Sequence, residues 1–136
     1  AAYGFEVALN TFYAPIYGPK GFSAAEKSIN LDKNNPFAYM QFANAKFFAP
    51  RAFGGSKTIA IENYLKALSL MERKPEEIVQ NWNYLNLLVA IAKAYEDTEQ
   101  FSLAKSYYEK ILQIEPQFSW VKNELYPALL KKIGSL

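Results

Sequence analysis

Apolar residues recur along this chain at the spacing of an α-helix. One set, at steps of three, one and three positions, consists of Leu88, Ile91, Ala92 and Tyr95. A second set follows the polar stretch 96–100 and consists of Leu103, Ala104, Tyr107, Tyr108, Ile111 and Leu112. Each set lies on one face of a helix, and the short connection predicts that the two helices pack antiparallel. Pro116 should end the second helix because it has no N–H for the helical hydrogen bond.

The middle of the chain repeats this pattern. Asn35 and Pro36 are typical of a helix start, since Asn35 can cap the first turn and Pro36 loses no hydrogen bond there. The apolar face that follows consists of Tyr39, Phe42 and Ala43. After the loop 49–57, with Ser56 as the expected cap, the next apolar face consists of Ile59, Ala60, Tyr64, Ala67 and Leu68.

The first part of the chain shows a weaker version of the same pattern. Phe5 to Tyr13 and Ala24 to Leu31 predict one more pair of helices. The residues that should separate them are Pro15, Gly18, Pro19 and Gly21. Pro and Gly at such density favour a connection over a continuous helix.

Small residues recur where the paired helices should cross. A large side chain at a crossing would hold the two backbones apart, so Ala or Gly is expected there, facing a large partner. The crossing residues predicted in this way are Ala43, Ala60, Ala92 and Ala104.

Over residues 85–118 these features resemble the tetratricopeptide repeat, a 34-residue unit of two helices. Its characteristic positions are filled by Leu88, Ile91, Ala92, Tyr95, Ala104, Tyr108, Ile111 and Pro116. In the middle repeat they are filled by Tyr39, Phe42, Ala43, Ala60, Tyr64 and Ala67. There the position that usually holds Tyr falls on Lys46, and the loop has about five additional residues relative to the family's unit.

The resemblance implies an all-α fold, a tetratricopeptide-like right-handed superhelical stack of about three helix hairpins plus a C-terminal capping helix. A single domain is expected over 1–136, with repeats roughly at 1–35, 36–74 and 75–118 and the cap at 118–132. In the cap, Pro127 should kink or split the helix. The apolar residues that the cap presents at helical spacing are Trp120, Leu125, Leu129 and Leu130.

Further features are similar to those of a group of bacterial, often exported, tetratricopeptide proteins of unassigned function. They are Asn35 to Tyr39, the loop 50–55, Trp82, and the segment 116–122 closed by 125–127. This resemblance favours a periplasmic or otherwise exported location, with a cytoplasmic one left open.

Composition argues against most catalytic and metal chemistry. The 136 residues include no Cys and no His, which removes the thiolate nucleophile, the imidazole base and the commonest zinc ligands. We therefore expect no enzyme activity, no cofactor and no metal. The net charge of +2, spread over scattered residues, argues against nucleic acid as a partner. The longest apolar run, Leu87 to Ala92, is too short to span a membrane.

The segment Gly54 to Thr58 resembles the end of a phosphate-binding loop. Such loops need a Gly directly before the Lys, a second Gly five residues earlier, and a strand leading in. Ser56 and Arg51 occupy the two Gly positions, and a helix precedes the loop. A glycine turn with a Ser cap is therefore the preferred interpretation, and nucleotide binding is not expected.

Neighbouring carboxylates offer no better case for catalysis. Glu76 and Glu77 lie at a predicted helix start, where acidic residues complement the helix dipole. Glu96, Asp97 and Glu99 lie in a connection between helices, where solvation explains them. Neither group has the buried carboxyl that a catalytic acid needs.

The helix that begins at Pro36 carries a second apolar face, opposite to the first. It consists of Phe37, Met40, Asn44 and Phe47, at steps of three, four and three. The resemblance implies that this face lines a concave groove that binds peptides. The equivalent and more polar positions of the last repeat are Asn86, Val89, Lys93 and Glu96. Alternatively, the helix predicted over Phe5 to Tyr13 packs over the apolar face and makes it core.

These patterns favour a non-enzymatic protein–protein interaction module. It would bind a peptide or a partner protein through the concave groove, or act as an assembly subunit. The alternative is a small-ligand carrier that uses an aromatic groove, with Arg51 neutralising an anionic group. Arg51 and Phe53 are therefore candidate ligand residues on the loop 49–57.

Overall fold

The computed structural model describes residues 19–136, which contain helices and connections and no strand. The α-helices of this region are α1 Pro19–Leu31, α2 Pro36–Phe48, α3 Lys57–Glu72, α4 Pro75–Ile78, α5 Trp82–Asp97, α6 Phe101–Ile114 and α7 Tyr126–Gly134. A 3-10 turn, Arg51–Phe53, lies between α2 and α3, and a π-helical segment, Val121–Leu125, leads into α7. The predicted all-α fold is confirmed. The helix predicted over Phe5 to Tyr13 lies outside the described residues.

The helices pack in chain order. Helices α2 and α3 form one closely packed hairpin, and α5 and α6 form a second. Helix α1 packs on α2, α3 packs on α5, and α7 packs on α6. Each contact therefore joins neighbours along the chain, which is the arrangement of a helical-repeat stack.

The predicted crossing residues are in the interior of these hairpins. The side chains of Ala43, Ala60, Ala92 and Ala104 are all 0% exposed. The largest fully buried side chains around them are Tyr64, Tyr108, Leu87, Leu88, Ile91 and Ile111. Two residues assigned to the apolar faces are exposed instead, Ile59 and Leu103. Ile59 directly precedes the buried Ala60, and Leu103 directly precedes the buried Ala104. Consecutive side chains of an α-helix point about 100° apart, so the residue next to a buried position can face solvent.

The helix ends follow the predicted capping chemistry. The side chain of Asn35 accepts a hydrogen bond from the Phe37 N–H at 3.0 Å. The hydroxyl of Ser56 accepts one from the Ile59 N–H at 3.1 Å. Helix α6 ends at Ile114, before Pro116, as expected.

Helix α1 begins earlier than predicted. The expected start was Ala24, but the helix includes Pro19 as its first residue and continues through Gly21. Pro is tolerated in a first turn, where its missing N–H has no intrahelical acceptor. A helical Gly costs only about 1 kcal/mol relative to Ala, which packing against α2 can offset.

The helical tail changes its hydrogen-bonding pattern at Pro127, where a kink or split was predicted. Pro127 lies in the first turn of α7 and has no N–H to donate to the preceding turn. Just before it, the Tyr126 N–H donates to the Val121 carbonyl oxygen, five residues earlier, which is the π-helical spacing. The wide turn accommodates the proline without ending the helix. Trp120 and Leu129 are buried as predicted.

A polar junction joins α3 to the second hairpin. Glu72, the last residue of α3, accepts a hydrogen bond from the Tyr84 hydroxyl at 2.7 Å and one from Lys110 Nζ at 3.0 Å. Partial burial acts to raise the pKa of Glu72, but these two hydrogen bonds and the charge of Lys110 outweigh it. The pKa of Glu72 is therefore lowered from 4.5. Burial and Glu72 together raise the pKa of the Tyr84 hydroxyl above 10.

We expect this junction to stabilise the fold at neutral pH and to lose its effect in acid. A carboxyl whose pKa is lowered by folding contributes stability above its unfolded pKa, and that stability is lost as pH falls through its folded pKa. Glu72→Gln should therefore be less stable than wild type at neutral pH, and the difference should shrink toward about pH 3. Urea unfolding at both pH values measures it.

The control for this experiment is Glu62→Gln, which changes an exposed carboxylate on the same helix. Its effect on unfolding should be small at both pH values. A Glu72→Gln variant whose deficit stayed constant from neutral to acid pH would contradict the role of the ionised carboxylate.

Candidate docking surface

Two residues of the predicted α2 face are part of the core. Asn44 and Phe47 are buried, and both point toward α3, where the Tyr64 hydroxyl donates a hydrogen bond to Asn44 Oδ1. The Phe47 ring lies 6.5 Å from the Tyr64 ring, and Lys57 Nζ lies 3.7 Å from its centroid. A partner cannot reach side chains enclosed in this way. The assignment of Asn44 and Phe47 to an open groove is therefore corrected.

The other half of the α2 face remains accessible. Phe37 is 45% exposed in the first turn of α2. Met40, one turn further, is partly buried and packs against the core. The open part of this face is thus its N-terminal end.

The C-terminal half of the α5 face is covered by the capping segment. Val89 is buried, and Lys93 Nζ lies 5.3 Å from the centroid of the Trp120 ring. Glu96 forms an ion pair with Lys132 of α7 and accepts a hydrogen bond from the Tyr108 hydroxyl at 3.2 Å. Lys93 and Glu96, which the sequence pattern assigned to the polar part of a groove, therefore contact the capping segment instead.

Two carboxylates near the C-terminal end of α5 pair with lysines of other helices. Burial, followed by the negative charge of Glu96, raises the pKa of the Tyr108 hydroxyl above 10. Asp97 Oδ2 lies 3.5 Å from Lys57 Nζ of α3. The interpretation of Glu96 as merely solvated is therefore wrong, because its side chain is 13% exposed and pairs with Lys132 of α7, whereas Asp97 pairs with Lys57 but stays 45% exposed to water.

Trp82 extends the α5 face by one turn toward its N-terminus. It precedes Asn86 by four residues, so the two side chains share a helix face. Trp82 is 62% exposed, and its ring lies 5.8 Å from that of Phe118. Asn81 caps the helix by accepting the Asn83 N–H at 2.9 Å. The four-residue spacing between Trp82 and Asn86 is visible in the sequence, so Trp82 could have been predicted to lie on the same face.

The exposed N-terminal turns of α2 and α5 lie at the same end of the stack. Successive packed helices with short connections run antiparallel, so α2 and α5, separated by α3, run in the same direction. Their N-terminal turns therefore share one end. We call the set of residues at this end the aromatic edge, and its members are Phe37, Met40, Trp82, Asn86 and Phe118.

The loop candidates lie elsewhere, in the connection between α2 and α3. Phe53 is exposed at the end of the 3-10 turn. Arg51 lines a cleft together with Ser56 and Lys57. Gly54 adopts φ 94°, the left-handed conformation that favours glycine, and the expected glycine turn with a Ser cap is confirmed.

Comparison with known proteins supports the repeat assignment for one part of the chain. Residues 85–118 match the family model of the tetratricopeptide repeat. The match covers α5 from residue 85 onward, all of α6 and the connection to the cap, which is where the characteristic positions are most complete. No curated protein matches the chain. The all-helical stack is thus tetratricopeptide-like, and repeats of this family generally mediate protein–protein interactions.

Among residues 19–136, no group of three or more acidic side chains is arranged to hold a metal ion. Within the same described region, every helix is too short or too polar to cross a bilayer.

Proposed function

We propose that this protein is a non-enzymatic interaction module that binds a partner protein or peptide through the aromatic edge. The observation that carries the proposal is the exposure of Trp82 beside Phe118 at the start of α5. An indole left in water loses the free energy that its burial would provide. Tryptophan is also among the residues that contribute most to protein interfaces.

The rest of the aromatic edge supports an apolar anchor on the partner. Phe37 and Met40 offer apolar surface, while Asn86 offers one amide for a hydrogen bond. All three residues lie on helices that also contribute buried side chains to the core, which holds the helix backbones in place. A rigid surface loses little conformational entropy on binding, which favours affinity.

The alternative function, a small-ligand carrier that uses the aromatic groove, has less support. That alternative used an open aromatic groove that included Phe47, and the Phe47 ring is buried against Tyr64. The location of the partner follows only from the resemblance to bacterial, often exported, repeat proteins, and a periplasmic or exported partner is part of the proposal.

We expect Trp82→Ala to weaken partner binding by at least about fivefold, because truncation of an interface aromatic that anchors a partner typically costs more than about 1 kcal/mol. Peptides selected from a random displayed library against the wild-type protein provide the ligands. Their affinities for wild type and for the variant are then compared by calorimetry.

A matched control is Leu103→Ala, which removes an exposed apolar side chain from α6, away from the aromatic edge. It should bind the selected peptides as wild type does. Far-ultraviolet circular dichroism shows whether each variant is folded. Equal affinity of wild type and a folded Trp82→Ala variant for every selected peptide would refute the aromatic edge as the docking surface.

Fluorescence gives a second, independent readout. The chain has two tryptophans, of which Trp82 is exposed and Trp120 is buried. In a Trp120→Phe background all tryptophan emission comes from Trp82. Peptide binding should shift this emission to shorter wavelength and protect it from iodide quenching.

A further inference from the structure

A cleft opens where the long loop of the first hairpin meets the second hairpin. Its walls come from the end of α2, the loop, the first turn of α3 and the end of α5, and its volume is about 410 Å³. This volume is within the range of small-molecule sites. The cleft is separate from the aromatic edge, since it involves the C-terminal ends of α2 and α5 rather than their N-terminal ends.

Positive charge dominates the lining of this cleft. The charged residues there are Lys46, Arg51, Lys57 and Asp97. Lys57 is paired with Asp97 at 3.5 Å. Among the residues that the structure describes, no carboxylate pairs with Lys46 or Arg51. Two cations in one cleft thus lack a counter-charge within residues 19–136.

Lys46 is held in place. Its Nζ donates to the Gly54 carbonyl oxygen at 3.1 Å and lies 4.3 Å from the centroid of the Phe22 ring. A second ring, that of Phe42, lies 5.6 Å away. A positioned amine loses little side-chain entropy when it binds an anion.

The loop itself is tightly folded. The Ser56 N–H donates to the Lys46 carbonyl oxygen at 2.9 Å, and the Gly55 N–H donates to the Pro50 carbonyl oxygen at 3.0 Å. A Cβ at Gly55 would lie 1.9 Å from the Ala49 carbonyl oxygen, so no other residue fits there without moving the backbone. The loop therefore presents Arg51 from a fixed backbone.

These hydrogen bonds also exclude the mechanism of a nucleotide-binding phosphate loop. Such a loop uses free backbone N–H groups to surround the phosphates. Here the N–H groups of Gly54, Gly55 and Ser56 all donate within the loop or to α2. The N–H groups of these three residues are therefore not available to surround a phosphate.

We propose that this cleft binds the phosphate group of a small molecule. The Arg51 guanidinium can bind two phosphate oxygens at once, and Lys46 Nζ supplies the second charge. The Thr58 hydroxyl, which also lines the cleft, is a further donor. A phosphate dianion matches two unpaired cations, whereas a carboxylate would neutralise only one.

Nuclear magnetic resonance titration tests the proposal on the full chain. Inorganic phosphate and glycerol 3-phosphate are added separately, with sodium chloride and sodium succinate at matched ionic strength as comparison. Both phosphates should give saturable shifts of the Gly54, Gly55 and Thr58 amide signals. Tighter binding of glycerol 3-phosphate would identify a phosphomonoester as the ligand, and equal binding would identify free phosphate. Shifts of equal size with chloride or succinate would overturn the assignment.

Variants separate a specific site from general charge screening. Arg51→Gln and Lys46→Met should each weaken phosphate binding by at least about tenfold, because each removes a charge-assisted hydrogen bond. The matched control is Arg73→Gln, which alters the other arginine of the chain, outside the cleft. Arg51 is exposed, so its replacement should leave the fold intact even if Lys46→Met does not. Unchanged phosphate affinity in folded Arg51→Gln would overturn the proposal.

Discussion

Replacing Ala104 with Leu is expected to lower the free energy of unfolding by about 1 to 3 kcal/mol, the typical cost of overpacking a tight core position. Ala104 is 0% exposed on α6, the helix that packs closely on α5. The extra carbons of Leu have no space between these helices, so either the two backbones separate or neighbouring side chains leave their preferred rotamers. Urea unfolding followed by circular dichroism measures the change.

Ala128→Leu is the control for this substitution. Ala128 lies on α7 with its side chain exposed, and Leu is about as good a helix former as Ala. This change should alter the unfolding free energy by less than about 0.5 kcal/mol. If Ala104→Leu were as stable as the control, Ala104 would not lie at a close approach of α5 and α6.

The same alanines explain why most of the fold could be predicted from the sequence. A helical-repeat stack is built from contacts between chain neighbours, so local spacing carries most of the information about packing. Ala43 and Ala60 are one buried pair and Ala92 and Ala104 the other. The helix starts could also be predicted from local sequence, because the side chains of Asn35 and Ser56 each accept a hydrogen bond from an N–H group no more than three residues away.

The candidate site was predicted less well because its residues depend on distant contacts. A second apolar face on α2 is consistent with a groove or with a second layer of packing, and spacing alone does not distinguish the two. Asn44 is polar, yet it is buried because Tyr64, twenty residues later, satisfies its amide oxygen. Glu96 and Lys132 are thirty-six residues apart in sequence, and only the position of the cap brings them together.

The two tryptophans illustrate the same limit. Trp82 and Trp120 each lie near the start of a helical segment, and both are large and apolar. Trp120 is buried in the core, whereas Trp82 has, within residues 19–136, Phe118 as its one ring neighbour and remains largely in water. Composition cannot show which of the two tryptophans is exposed, although the four-residue spacing to Asn86 already places Trp82 on the same face of α5 as Asn86.

The capping helix offers the largest single effect on stability. Leu129→Ala should lower the free energy of unfolding by about 2 to 5 kcal/mol, the usual range for a buried Leu that leaves a cavity. Leu129 is 0% exposed and belongs to the core cluster, on the helix that packs against α6. Truncation of Leu129 weakens the packing of α7 against α6, so buried apolar side chains of α6, such as Ile111, become more accessible to water.

The neighbouring residue provides a control in which the same chemical change is made at an exposed position. Leu130 is 42% exposed, so Leu130→Ala should cost less than about 1 kcal/mol, because part of that side chain is already in water in the folded state. Thermal and urea unfolding of both variants give the comparison. If both had the same stability, α7 would not cap the stack through Leu129. If only α7 detached, hydrogen exchange would become faster in α7 and at Lys93 and Glu96, while the amides of α2 and α3 stayed protected.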